Sequence, residues 1–169
     1  RSDPNPKMPP CRFVQDEAHA GLAYIRPAFE VGRMILCGHS VGGGMAIAAA
    51  ASFADVTDGV ISLAAQAFVE DRTIAGIRQA QKAFRAKGQM DRLARYHADK
   101  ARWVLDAWIE TWLAPSFADW CMDDDLRRMH CPILAIHGDS DEYGSRAHLD
   151  RIAALAGGAV QDVLLPACR

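Results

Sequence analysis

Two periods organise the apolar positions of this chain. Consecutive apolar residues cluster in short runs at 34–37 (MILC), 59–65 (GVISLAA), 131–138 (CPILAIHG) and 160–165 (VQDVLL). Runs of this length and density predict buried strands. Helical spacing appears between them. Val14, Ala18, Leu22 and Ile25 share one face behind the acidic pair Asp16-Glu17, and Pro27 should end or kink that helix. MAIAAA at 45–50 is strong helix composition, and the helix it starts should reach about residue 54. A helix over 145–156, with Ala147, Ile152 and Leu155 apolar, should stop at Gly157-Gly158.

The stretch 68–130 has a different character. It is rich in Arg, Lys, Ala and Gln and holds no convincing strand. Helices are predicted near 71–87, 89–98 and 100–113. Trp103, Trp108, Trp112 and Trp120 all lie here, and Trp108 and Trp112 are spaced for one helix face. They read as the small core of a helical insertion rather than as substrate-lining residues. Residues 1–12, RSDPNPKMPPCR, read as loop. The predicted order is helix, strand, helix, strand, helical insertion, strand, helix, strand. Strands alternating with helices imply an α/β class: a parallel sheet with helices on both faces, plus the insertion.

Composition narrows the function classes. The net charge is −2, from 19 basic and 21 acidic residues, so nucleic acid and anionic membrane are not expected partners. No apolar run approaches the ~20 residues of a membrane span. The five cysteines, Cys11, Cys37, Cys121, Cys131 and Cys168, form no C-x-x-C pair. They suggest reduced thiols and a cytoplasmic location. Asp139-x-Asp141-x-Tyr143-Gly144 partly mimics a calcium loop. It has Tyr at position five, Asp150 at position twelve and a strand in front, so no metal is expected. No cofactor is expected either.

The chemistry concentrates at 31–50, VGRMILCGHSVGGGMAIAAA. An apolar run leads into Gly38-His39-Ser40-Val41-Gly42, then into a small-residue helix. A serine on so tight a strand-to-helix turn is pushed out of the sheet with its hydroxyl exposed. Glycines two before and two after it remove side chains that would clash. The following helix points free N–H groups at the serine, which favours a developing oxyanion. The alternatives are a serine that only caps the helix, and a phosphate loop. The second fails for want of a Lys after the glycines. Ser40 is therefore the candidate nucleophile, and it needs a base and a carboxylate to orient that base.

These residues resemble the α/β-hydrolase fold superfamily, of the serine-nucleophile, cap-bearing esterase and C–C hydrolase type. Gly38-His39-Ser40-Val41-Gly42-Gly43 resembles its nucleophile elbow. Cys131-Pro132-Ile133-Leu134-Ala135-Ile136-His137-Gly138-Asp139-Ser140-Asp141 resembles the strand that ends in the catalytic acid, usually three residues after the glycine. The resemblance implies Asp141 as that acid, with Asp139 as runner-up, and the Val41 N–H as one oxyanion donor. It divides the chain into core at 1–67, cap insertion at 68–130 and core at 131–169. Arg1-Ser2-Asp3-Pro4 resembles the tail of a G-x-G-x-S-x-x-P loop. Strands that usually precede it, with half the oxyanion hole, have no counterpart here. The catalytic histidine usually follows the last strand, beyond Arg169. The chain thus resembles an internal fragment of a larger hydrolase.

Among the histidines, only His148 follows Asp141, and it reads as a surface residue of its helix. His39 should pack beside the strand, and His137 should be a satisfied core histidine. The implied activity is cleavage of an ester, thioester or activated C–C bond through an acyl-serine, with a small-molecule substrate. The fragment itself should be inactive. The alternatives are a non-catalytic truncated hydrolase, or an acyltransferase or perhydrolase using the same elbow. A homo-oligomer is allowed. Ser40 and Asp141 should lie past the carboxyl ends of their strands with one strand between them.

Overall fold

The four apolar runs form one parallel sheet in a computed structural model that describes residues 7–169. β1 (Met34–His39), β2 (Thr57–Leu63), β3 (Ile133–Gly138) and β4 (Val160–Leu165) lie side by side in chain order. Parallel neighbours cannot be joined by a tight hairpin, so each junction needs a crossover. α2 (Val41–Ser52) links β1 to β2, and α7 (Ala147–Leu155) links β3 to β4. Between β2 and β3 the chain builds α3 (Asp71–Ala83), α4 (Gln89–His97), α5 (Ala101–Leu113) and α6 (Asp123–Arg128). α1 (Phe13–Ala28) precedes β1 and ends one residue after Pro27. Arg1 to Pro4, read above as the tail of a loop motif, lie outside the described residues.

Register decides which side chains meet. Leu36, Val60, Ile133 and Val160 stand in one row across the sheet. Partners in register share a face, and this row faces the helices. It packs with Val14 of α1, Ile47 of α2, Leu126 of α6 and Leu149 and Ile152 of α7. α2 is apolar all round because it is covered all round. Gly43, Gly44 and Ala46 to Ala50 are buried between the sheet, α1 and α6. Side chains this small let three neighbours approach at once.

The chain leaves this layer after Phe68 and returns at Cys121, where the two residues form an antiparallel bridge. Met122, Leu126 and Met129, just past the return, are fully buried in the sheet's own core. α3, α5 and the turn after them build a second cluster from Ile77, Leu105, Ile109, Trp112 and Phe117. Trp112 meets Phe117 and Trp120 edge-on at 5.1 and 5.6 Å, and Phe117 stacks on Trp120 at 5.3 Å. The sequence reading did not expect α6, which is too short to show a period. Its sequence DDDLRR nevertheless opens on acids and closes on arginines, as the helix dipole favours. Asp123 at its start accepts two bonds from Arg151 of α7, at 2.8 and 2.7 Å. Those bonds hold the Asp123 carboxyl below the usual carboxylate range.

Helical cover of the sheet is uneven. The alternate row, Cys37, Ile61, Leu134 and Gln161, turns away from α2 and α7. Cys37 and Gln161 are exposed, and Ile61 and Leu134 are half-buried. Ile35, on the same side, is 65% exposed, and β1 is an edge strand. An exposed apolar edge invites pairing with another chain. Ile35→Lys should therefore lower self-association in sedimentation velocity and change stability by less than ~0.5 kcal/mol. Unchanged association would acquit this edge. Among the described residues no helix is long and apolar enough to cross a membrane.

Candidate functional site

Ser40 occupies the single residue between β1 and α2, at φ 55° and ψ −124°. A side chain other than glycine is strained there, by roughly 1–3 kcal/mol, and persists only where the surroundings impose it. The surroundings do so from both sides. The Ser40 N–H donates to Leu63 O at 2.8 Å, and its carbonyl accepts from the Gly43 N–H at 2.9 Å. The need for glycine falls on two positions. A Cβ at Gly38 would overlap the Gly42 carbonyl and approach Gly43 N to 2.7 Å. One at Gly43 would come within 2.7 Å of the Ala65 Cβ. At Gly42, the second glycine of the G-x-S-x-G pattern, a Cβ meets nothing within 4 Å.

The Ser40 hydroxyl faces a cavity of about 210 Å³ between the sheet edge and the helical excursion. It donates a long hydrogen bond, 3.4 Å, to Gln66 Oε1. Ile77, Trp108, Trp112 and Tyr143 form the apolar walls. Trp108 and Trp112 thus serve both the second core and the cavity. His39 also lines the cavity and is exposed rather than packed beside the strand. Strand alternation puts it on the open side of the sheet with Ile35 and Cys37. Gln66, Thr73 and Ile77 were not singled out from the sequence, and Tyr143 only as part of the calcium-like loop. For Gln66 a signal existed: it is the polar residue that follows the second strand, on the edge where such folds place their sites.

Asp141 is the third residue past Gly138, so it leaves the same sheet edge as Ser40, with β2 between them. Asp141 is buried, with 7% of the residue exposed. Oδ1 accepts the Tyr143 N–H at 2.7 Å, and Oδ2 lies 3.1 Å from His137 Nε2. His137 is a core histidine, 1% exposed, as its strand position suggested. Asp139 is exposed and accepts from the Ser140 hydroxyl and the Ala167 N–H, both at 2.8 Å. The first turns of α3 brace the loop carrying Asp141. Thr73 donates to Tyr143 O at 2.6 Å and Arg72 to Gly144 O at 3.1 Å. Glu70, just before α3, accepts the Ser145 N–H at 2.7 Å and the Ser145 hydroxyl at 2.9 Å.

His148 is not the surface residue its polarity suggested. It is fully buried, because α7 turns His148, Leu149 and Ile152 toward the sheet. The ring lies 4.7 Å from Phe68 and stacks on His137 at 5.8 Å. Its Nδ1 accepts the Ala67 N–H at 3.1 Å, and its Nε2 lies 3.4 Å from Glu70 Oε1. The i,i+4 pairing of His148 with Ile152 was the legible signal. Burial lowers the His148 pKa to about 4, with Glu70 opposing, His137 adding to the fall and Asp141 opposing.

The neutral form therefore belongs to the folded state, and the unfolded chain binds the extra proton below its ordinary value of 6.5. Stability from this group is complete above about pH 6.5 and is lost as pH falls toward 4, by up to about 3 kcal/mol. Urea midpoints for wild type should fall between pH 7.5 and 5 more steeply than those of His148→Gln. Parallel slopes would remove His148 as the cause.

Among the described residues no group of three or more His, Cys, Asp or Glu could hold a metal ion, and the five cysteines are free thiols.

No protein-family model and no curated protein matches the chain. Solved structures do. A bacterial membrane phospholipase A described as a virulence factor matches with a TM-score of 0.70 at 17% identity, over 90% of this chain and 55% of that one. The meta-cleavage product hydrolase CumD from Pseudomonas fluorescens IP01 matches at 0.64 and 20% identity, over 91% and 64%. An alpha/beta fold family hydrolase from Bacillus anthracis str. Sterne matches at 0.64 and 16%, over 89% and 66%. This chain therefore has the α/β-hydrolase fold, with four parallel strands and flanking helices as its share of that core. It spans only 55–66% of the length of these structures.

Proposed function

We propose that the chain is the nucleophile-bearing part of a serine hydrolase that cleaves an ester, thioester or activated C–C bond through an acyl-serine. The observation that carries this reading is the strained Ser40, held at φ 55° with its hydroxyl at an apolar cavity. Strain of this kind clusters at functional sites, and at Ser40 it presents a hydroxyl to a cavity, which the similarly strained Ala98 does not. Ser40 attacks the carbonyl. Val41 is the first residue of α2, so the helix makes no use of its N–H, which is free to donate to the oxyanion. Asp141 orients a histidine. Its oxygens already meet Tyr143 and His137, but each carboxylate oxygen has two lone pairs, which leaves room for an imidazole N–H.

That histidine is one outside these 169 residues. His148 is committed to Ala67 and Glu70 inside the core, and His137 lies beneath Asp141. The insertion at 68–130 serves as the cap, and its Ile77, Trp108 and Trp112 wall the cavity beside Ser40. A fluorophosphonate probe tests the reading on the longer protein. Stoichiometric labelling of Ser40, blocked by substrate, supports it. A protein that stays unlabelled while folded is a binding module built on the same fold. Transfer of the acyl group to an added alcohol or to peroxide in preference to water would mark an acyltransferase or perhydrolase.

A further inference from the structure

The cavity at Ser40 is informative in its chemistry as well as its position. Its largest walls are apolar or aromatic: Ile77 from α3, Trp108 and Trp112 from α5, Tyr143 from the acid loop, with His39 and Gln66 the larger polar side chains among them. No Asp, Glu, Lys or Arg is among its lining residues. Arg72, Arg78 and Arg85, three cations of the helical excursion, are exposed, and Arg72 is held by the Gly144 carbonyl. The Thr73 hydroxyl is occupied by Tyr143 O. Burial pushes the Tyr143 phenol up from its ordinary value, so that wall stays neutral. The polar functions left beside Ser40 are the His39 imidazole and the Gln66 amide, whose oxygen accepts from the Ser40 hydroxyl.

The walls are also stiff. Trp112 is 3% exposed and pinned by Phe117 and Trp120. Trp108 meets Tyr143 edge-on at 5.8 Å, and Tyr143 is tied through its carbonyl to Thr73. A pocket fixed on three sides keeps its size when filled. At about 210 Å³ it exceeds the ~150 Å³ apolar cavity that accepts one benzene and falls short of the ~300 Å³ where drug-sized sites begin.

We propose that this cavity takes an uncharged, ring-shaped hydrocarbon group of benzene to ethylbenzene size and rejects carboxylates. Aromatic walls from Trp108, Trp112 and Tyr143 suit an aromatic ring. A carboxylate would lose its hydration with no Lys or Arg in the walls to replace it. That the bound group is the acyl side of a substrate rests on the hydrolase reading; the cavity's preference does not.

The test uses the full 169-residue chain, with ¹⁵N-labelled tryptophan indoles observed by NMR. Ethylbenzene should shift the Trp108 and Trp112 signals saturably and leave Trp103, outside the cavity, unmoved. Benzoate should bind at least ~100-fold more weakly, and butylbenzene more weakly than ethylbenzene. Ile77→Trp, which fills the cavity, should abolish the ethylbenzene response while the Trp103 signal stays native. Should that variant unfold, the size and charge series on the wild-type chain still decides. Benzoate binding as tightly as ethylbenzene, or equal shifts at Trp103, would overturn the proposal. Its failure is separable from failure of the hydrolase reading, since this readout needs no reaction at Ser40 and fluorophosphonate labelling needs no ring in the cavity.

Discussion

Ser40→Ala in the longer protein should lower kcat/KM on p-nitrophenyl esters by ten-thousand-fold or more and abolish fluorophosphonate labelling. The hydroxyl is the only group in the proposed mechanism that bonds to the carbonyl carbon, so no neighbour can take its place. Removing one member of such a unit costs about as much as removing all of them, on the order of 10⁴–10⁶ in rate. The 169-residue chain itself should already be inactive, with its Ser40 hydroxyl turned to Gln66. Turnover by this chain that disappears in Ser40→Ala would mean that one of its own histidines serves as base. Stability supplies the control. Alanine at φ 55° is as strained as serine, so its Tm should hardly move. Ser40→Gly relieves the strain and should gain about 1 kcal/mol, or ~2–4 °C in Tm. Loss of activity together with a higher Tm in Ser40→Gly would separate catalysis from folding in one variant.

Gly38→Ala should be among the most damaging single methyls in the molecule, beside Gly158→Ala and Gly138→Ala. The new Cβ would overlap the Gly42 carbonyl and press on Gly43 N. Both belong to the first turn of α2, whose N–H groups also hold the Ser40 carbonyl. Backbone pinned on both sides cannot yield as a side chain can, so the cost should reach at least ~3 kcal/mol. Gly42→Ala is the matched comparison. It enters open space and replaces glycine inside a helix, where alanine is favoured by roughly 0.5–1 kcal/mol. Urea midpoints should therefore move in opposite directions for the two variants. Similar losses at both positions would show that the turn demands glycine for a reason other than this overlap.

The fold was legible because it rests on local periods. Runs at 34–37, 59–65, 131–138 and 160–165 became strands, and helices expected near 71–87, 89–98 and 100–113 formed at Asp71–Ala83, Gln89–His97 and Ala101–Leu113. The tight turn at Ser40 was legible too, since strand, glycine and small-residue helix are consecutive in the chain. α6 escaped because six residues hold too little period. His148 escaped for a different reason. A histidine's polarity suggests the surface, but its two ring nitrogens met an Ala67 N–H from 81 residues away and the Glu70 carboxylate.

The amino-acid sequence by itself determined the alternation of strands and helices, the serine at its elbow and an acid three residues past a strand-ending glycine. These are properties of neighbours along the chain, where apolar period and backbone sterics act over a few residues. Only the tertiary structure decided that Gly43 rather than Gly42 needs to be glycine, because the obstacle is Ala65 on another strand's exit. It also decided that Trp108, Trp112 and Tyr143 line one cavity beside Ser40, and that Glu70, Arg72 and Thr73 brace the loop of Asp141. Those contacts join residues some 22 to 103 positions apart, at separations where no short-range pattern carries information and packing alone selects the partner.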